Sequence, residues 1–173
     1  MTAATIALRL ALAVDARAIA FMSRDLIEAG LGWSYRPERI VRMIRDRDTT
    51  TLVADRHGEP VGFAVMGFGD ERAHLVLLAV HPAQHRQGIA RRMIDWLVES
   101  ADAAGIASLY LELRAGNAAA RAFYRKMNFV ETELVPGYYR GAESAIRMER
   151  VLRVLPIPEP PSFKWRQPTP DKR

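Results

Sequence analysis

The residues 85–91, His-Arg-Gln-Gly-Ile-Ala-Arg, have types and spacing that suggest a specific chemistry. Met93, Ile94, Leu97 and Val98 follow at helical spacing, so a helix opens at Gly88-Ile89-Ala90. The first four N–H groups of a helix have no partner inside it, and the helix dipole places about half a positive charge there. Gly88 and Ala90 carry almost no side chain, which lets a large anion approach the backbone. Such a turn suits a phosphate or pyrophosphate, with Arg86 and Arg91 available for charge-assisted contacts and Gln87 beside them. The same residues also describe a plain strand–loop–helix connection. They form neither a P-loop nor the G-x-G-x-x-G dinucleotide fingerprint.

The elements that must position this turn lie on either side of it. The apolar run 75–80, ending in Leu78, Ala79 and Val80, reads as a buried strand. His81-Pro82 ends it, because the residue before proline avoids helix and proline cannot donate to a ladder. After the helix, which Gly105 caps, residues 107–114 form another strand. Leu109, Leu111 and Leu113 face one side of it; Tyr110, Glu112 and Arg114 face the other. A strand between two helices is covered on both faces, so that polar face meets solvent, pairs with arginine or lines a cleft. Asn117 reads as the N-cap of a helix to about residue 127. Tyr124 late in that helix is either a half-buried aromatic or a catalyst. Asn128 stands where a left-handed cap is expected.

The stretch 75–92 resembles the acetyl-CoA-binding motif of the GNAT superfamily of N-acetyltransferases. That motif is a strand ending Ala-Val-x-Pro followed by Gln/Arg-x-x-Gly-x-Gly/Ala at a helix start. His85 departs from the pattern, and a smaller share of the loop's polar contacts is expected from it. The segment from Arg114 through Asn117 and Tyr124 to Phe129 resembles the second half of the pattern. Within the superfamily the ribosomal-protein-alanine N-acetyltransferase type is similar over about residues 75–150. Its Leu-Glu-Val-Arg-Ala-x-Asn stretch is matched by residues 111–117, its Tyr-Tyr loop by Tyr138-Tyr139, and its Glu-x-Ala-x-x-Met strand by residues 143–148.

The resemblance implies a mixed α/β sheet, of α+β character, with about seven strands and helices on both faces. The strands flanking the central helix splay apart to admit the pantetheine arm of acetyl-CoA. It implies that Asn117 contacts this cosubstrate and that backbone N–H groups around Leu78, Ala79 and Val80 hold the pantetheine. It also implies that Glu112 takes a proton from the amine, directly or through a water, and that Tyr124 protonates the leaving thiolate. Two acceptors remain open. One is a protein N-terminal α-amine clamped by Tyr138 and Tyr139. The other is a small amine, such as a polyamine, amino acid or antibiotic, held by Trp33 and Tyr35. All four aromatics have a structural alternative as packing or loop anchors. A non-catalytic acetyl-CoA-binding module is a further alternative.

The rest of the chain gives the frame. Residues 5–10 read as a strand and 14–29 as a helix with Ala18, Ile19, Met22, Leu26 and Ala29 on one face, ended by Gly30. Pro37 starts a short helix, along which Arg36, Arg39, Arg42 and Arg45 recur as a solvated face or a surface for an acidic substrate. Residues 50–54 and 61–68 form a hairpin, and 129–135 with 144–150 a last strand pair around a loop at 136–141. Residues 1–153 form one acetyltransferase domain, and residues 154–173 a proline-rich arm whose Phe163 and Trp165 fit docking, including on a second copy in a homodimer.

Composition narrows the class. With 49% hydrophobic and 26% charged residues the chain is an ordinary globular one. It lacks cysteine, which removes thiolate nucleophiles, disulfides and cysteine metal sites. The one histidine pair four residues apart, His81 and His85, falls in the loop that opens at His81-Pro82 and not on a helix, so no metal is expected. No run approaches a membrane span, and the absence of cysteine fits a cytoplasmic protein. The net charge of +5 is carried mostly by arginine and is no evidence of nucleic-acid binding without a matching motif.

Overall fold

A computed structural model describes residues 6–154. The arm called at 154–173 lies, apart from Val154, outside the described residues. The order is β1 (Ala7–Leu10), α1 (Ala16–Met22), α2 (Pro37–Arg45), β2 (Thr49–Arg56), β3 (Glu59–Phe68), β4 (Arg72–Val80), α3 (Ile89–Ala103), β5 (Ser108–Arg114), α4 (Ala118–Lys126), β6 (Val130–Tyr139) and β7 (Glu143–Val151). They build one sheet in the order β1-β2-β3-β4-β5-β7-β6. All neighbours are antiparallel except β4 and β5, which are parallel.

Helices cover both faces. On one, Met93, Ile94 and Leu97 of α3 pack with Tyr124, Met127 and Phe129 against Leu52, Met66, Leu109 and Leu111. On the other, Ile19 and Ala20 of α1 and Ile40 of α2 pack against Val53, Phe63, Val65 and Leu77. The β2–β3 hairpin turns through His57 and Gly58, both at positive φ, as a two-residue hairpin requires. Gly30, Gly105 and Asn128 also have positive φ, as the sequence indicates.

The central feature is the separation of β4 from β5. They pair only through Arg72↔Ser108, Ala73↔Leu109 and His74↔Tyr110, and then part. The cause lies in β4. Opposite β3, Leu75 pairs with Met66 and Leu77 with Val65, so Val76 is an extra residue, a bulge. The bulge reverses the faces of β4: Ala73 and Leu75 point into the first core, Leu77 and Ala79 into the second. Bending and added twist at that residue carry the end of β4 away from β5.

Two sequence expectations are corrected. The first helix does not run as one α-helix to Ala29. A π-turn follows α1 at Ser23–Ile27, closed by Glu28 N donating to Ser23 O at 2.8 Å. The extra residue rotates the face, so Ser23 and Glu28 become buried while Leu26 and Ala29 turn outward. The loop expected at 136–141 is shorter, because β6 runs through Tyr138 to Tyr139 with an irregularity after Val135.

Candidate active site

Gly88 is the N-cap of α3, at φ 74° and ψ 8°. A Cβ there would meet nothing within 4 Å, so glycine is required by the left-handed backbone and the space above it is open. The first amide with an acceptor in the turn is Arg92, whose N–H donates to Gly88 O at 3.0 Å. The amides before it in the helix are therefore free at the positive end of the dipole. Arg86 is also at positive φ, 65°, which helps aim the loop's backbone into the same opening.

The turn borders a cavity of about 500 Å³ lined by Leu78, Ala79, Val80, Arg86, Gly88, Ile89, Ala90, Arg91, Ala120, Phe123 and Tyr124. It adjoins a second cavity of about 530 Å³, which shares Leu78, Ala120 and Tyr124 and adds Glu112, Asn117 and Tyr139. Leu26 and Ala29, turned outward by the π-turn, line that second space. A third cavity of about 260 Å³ shares Glu112 and Tyr139 with the second and adds Tyr35, Arg39, His74, Tyr138 and Arg140. The shared residues make the three cavities successive neighbours along the gap between β4 and β5.

The backbone along this gap is directional. His81 N donates to Val61 O, so by antiparallel alternation Ala79 and Leu77 bond to β3. Leu78 and Val80 turn their N–H and C=O toward the gap. Ala79 is thus corrected: its side chain touches the cavity, but its backbone belongs to the β3 ladder. His85 is corrected too, since its Nε2 donates to Val80 O at 2.8 Å and so ties the loop to the strand end. Gln87 does not line the cavity; its amide donates to Gln84 Oε1 at 3.1 Å and braces the loop. Asn117 caps α4, its Oδ1 accepting from Ala120 N at 3.0 Å.

Glu112 has a side chain only 5% exposed. His74 Nε2 donates to its Oε2 at 2.8 Å and Arg147 Nε to its Oε1 at 2.9 Å. Arg147 also contacts Glu133, and the His74 ring stacks on Tyr110 with centroids 4.5 Å apart. Burial pushes the Glu112 carboxyl up, but the His74 and Arg147 hydrogen bonds together outweigh it and hold the group below the usual carboxylate range. Each oxygen keeps a further lone pair for an incoming N–H.

Tyr124 is 8% exposed, its ring packed edge-on against Phe123 and Phe129. Burial, and secondarily the charge of Tyr139, pushes its phenol well above the ordinary value. No group among the described residues bonds its hydroxyl, although a buried tyrosine hydroxyl ordinarily finds a partner. The hydroxyl is left free on the two larger cavities that its ring lines.

The four aromatics separate. Tyr35, Tyr138 and Tyr139 line the third cavity. Burial above all pushes the Tyr139 phenol up to about 12. Trp33 does not line it: its Nε1 donates to Tyr35 O at 3.1 Å and its ring stacks on Phe21, so it anchors the loop. Sequence reasoning missed His74 and Arg147. A signal for Arg147 existed in the alternation of β7, whereas that for His74 depends on the parallel β4–β5 register.

The family model described as the acetyltransferase (GNAT) family matches residues 16–129. The chain belongs to this family. It is 33% identical over 102 residues to the [ribosomal protein bS18]-alanine N-acetyltransferase of Escherichia coli, a match covering 59% of this chain and 68% of that protein. It is 34% identical over 82 residues to an N-alpha-acetyltransferase of Saccharolobus solfataricus, covering 47% of this chain and 49% of that one. The crystal structure of the E. coli ribosomal-protein-S18-alanine N-acetyltransferase superimposes with a TM-score of 0.75 at 25% identity, covering 88% of this chain and 97% of that one. This GNAT chain is an N-acetyltransferase with acetyl-CoA as donor. The free amides at Gly88 and the gap beyond Leu78 and Val80 fit a diphosphate and an extended arm. Among the described residues no histidine or acidic cluster could hold a metal ion, and no helix is long and apolar enough to cross a membrane.

Proposed function

We propose that this enzyme acetylates the α-amine of a peptide or protein terminus by direct attack. The observation that carries the reading is the free Tyr124 hydroxyl and the Glu112 carboxylate bordering one cavity, with the amide-lined turn at one end and the tyrosine-lined acceptor space at the other. Acetyl-CoA supplies a thioester carbonyl. The chain's amides at Gly88 to Ala90, with Arg86 and Arg91, hold the diphosphate end, and the N–H groups of Leu78 and Val80 and the Asn117 side chain orient the arm.

At neutral pH an amine is mostly protonated and cannot attack. Glu112, which stays ionised there, attracts the ammonium and receives its proton directly or through a water. The new N–C bond forms as the C–S bond breaks, and Tyr124 gives its proton to the departing sulfur. Its raised phenol stays protonated until that moment. Positioned acid–base groups contribute about 10²–10⁴-fold, and the lowered Glu112 carboxyl makes it a weak base at the small end of that range. Alignment of two substrates supplies about 7–11 kcal/mol and is the larger part.

A peptide terminus suits the acceptor side because the third cavity does not close. It shares His74 and Val76 with an open groove that runs to Arg72 and Gly67 at the edge of β4, which gives the rest of a chain a way out. The bacterial relative's name speaks of an alanine terminus and the archaeal one's of an α-amine. The small-amine reading keeps Tyr35 but loses Trp33. A cytoplasmic location suits an acetyl-CoA-consuming enzyme with no cysteine in its chain. Peptides and small amines assayed side by side for acetyl-CoA-dependent thiol release test the proposal. Peptide turnover is expected, and turnover of small amines alone discards it.

A further inference from the structure

The acceptor cavity contains two carboxylates and two guanidiniums, and only the carboxylates are matched. Glu28 is buried, with Ser34 N donating to it at 2.6 Å, Tyr35 N at 3.3 Å and Ser23 Oγ at 3.1 Å. Glu112 is held by His74 and Arg147. Arg39 and Arg140, at the exposed mouth, have no carboxylate in salt-bridge range among the described residues. The Arg39 guanidinium carbon lies over the Tyr35 ring, 4.1 Å from its centroid, and this cation–π contact holds the cation at the mouth.

Arg140 sits in a built seat. It crosses from the β6–β7 turn at φ 54° and donates from Nη2 to Ser34 Oγ at 3.1 Å. Gly32 makes room for it: a Cβ at Gly32 would lie 2.8 Å from Arg140 Nη1. A strained backbone and a glycine on the facing loop thus position one cation beside the acceptor space. Exposed Arg36, the residue before α2, and exposed Arg42 within it add positive charge to the segment that carries Arg39.

Resting on the peptide-terminus reading, we propose that the enzyme selects termini with a carboxylate at the second residue, and that Arg39 and Arg140 determine that specificity. The cavity of about 260 Å³ is only about 8 Å across, roughly the span of two extended residues. With the amine at Glu112, the second side chain reaches the mouth where the two guanidiniums stand. A carboxylate there gains charge-assisted bonds, and a lysine meets like charge.

The test compares peptides identical except for Glu, Gln or Lys after an N-terminal alanine, by kcat/KM from thiol release at low ionic strength. The expected order is Glu, Gln, Lys, with at least about tenfold between the ends, narrowing as salt is added. Arg39→Gln and Arg140→Gln should each shrink that ratio, Arg140→Lys should retain most of it, and Arg39→Glu should invert the order. Thermal melts identify a variant that fails to fold, in which case the Arg39 pair decides. Equal kcat/KM for all three peptides, or a ratio unmoved in the folded glutamine variants, overturns the inference and leaves the peptide reading intact. Absence of any peptide turnover beside turnover of small amines removes the peptide reading and this inference with it.

Discussion

Gly88→Ala and Gly58→Ala form a matched pair that isolates the cofactor turn. Both glycines have positive φ, 74° and 86°, and in both places an added Cβ meets no protein atom within 4 Å. The left-handed backbone therefore costs each alanine variant about 1–2 kcal/mol, or about 2–8 °C in Tm for a domain of this size. The positions differ only in what they face. Gly58 is in the β2–β3 hairpin and lines none of the three cavities, while Gly88 opens α3 beside free amides. The alanine methyl at 88 enters the open space proposed above for the diphosphate. A hydrogen bond to a charged group is worth about 1.5–3 kcal/mol, so loss of even one weakens coenzyme A binding by about 10–150-fold. Calorimetric titration of coenzyme A and thermal melts on both variants read the two effects separately. Equal melting losses with coenzyme A affinity within about threefold of the parent in both would refute the amide cradle.

Tyr124→Phe should lower kcat by about 10²-fold or more while coenzyme A affinity changes less than threefold, because only the free hydroxyl is removed; unchanged kcat takes the phenol out of the reaction. Arg147→Met removes one of the two hydrogen bonds that keep the Glu112 carboxyl low, so its pKa should rise and the acid limb of kcat/KM should move to higher pH, read from a pH–rate profile. Asp15 and Asp55, bonded by Arg9, and Glu112 all have lowered carboxyl values. Their contribution to stability is complete above the unfolded carboxylate range of about 4 and is lost as pH falls through the lower folded values. Denaturant melts should thus stay level from neutral pH down to about pH 5 and then fall. Asn128→Ala, at φ 63° after α4, should cost about 1 kcal/mol in a denaturant melt, and Asn128→Gly should cost nothing.

The local signals in this sequence are those that repeat within one element. Alternation along residues 109–114 gave the two faces of β5 and put Glu112 on the polar one, and the glycine turn after an apolar strand gave the start of α3. The bulge at Val76 was invisible because residues 75–80 are apolar throughout, so a change of phase leaves no mark in polarity. The π-turn was hidden likewise, since Leu26 and Ala29 look like core residues and instead line the cleft. Lateral pairing is harder still. β7 enters the sheet between β5 and β6, and the resulting register sets Arg147 opposite Glu112. The parallel pairing of β4 with β5 ends at His74, which leaves that ring within reach of the same carboxylate. The ionisation of Glu112 is thus fixed by two strand pairings, one spanning 35 residues and the other 38, which no local window contains. The position of Glu112 is a property of its own strand, whereas its strength as a base belongs to the topology of the sheet.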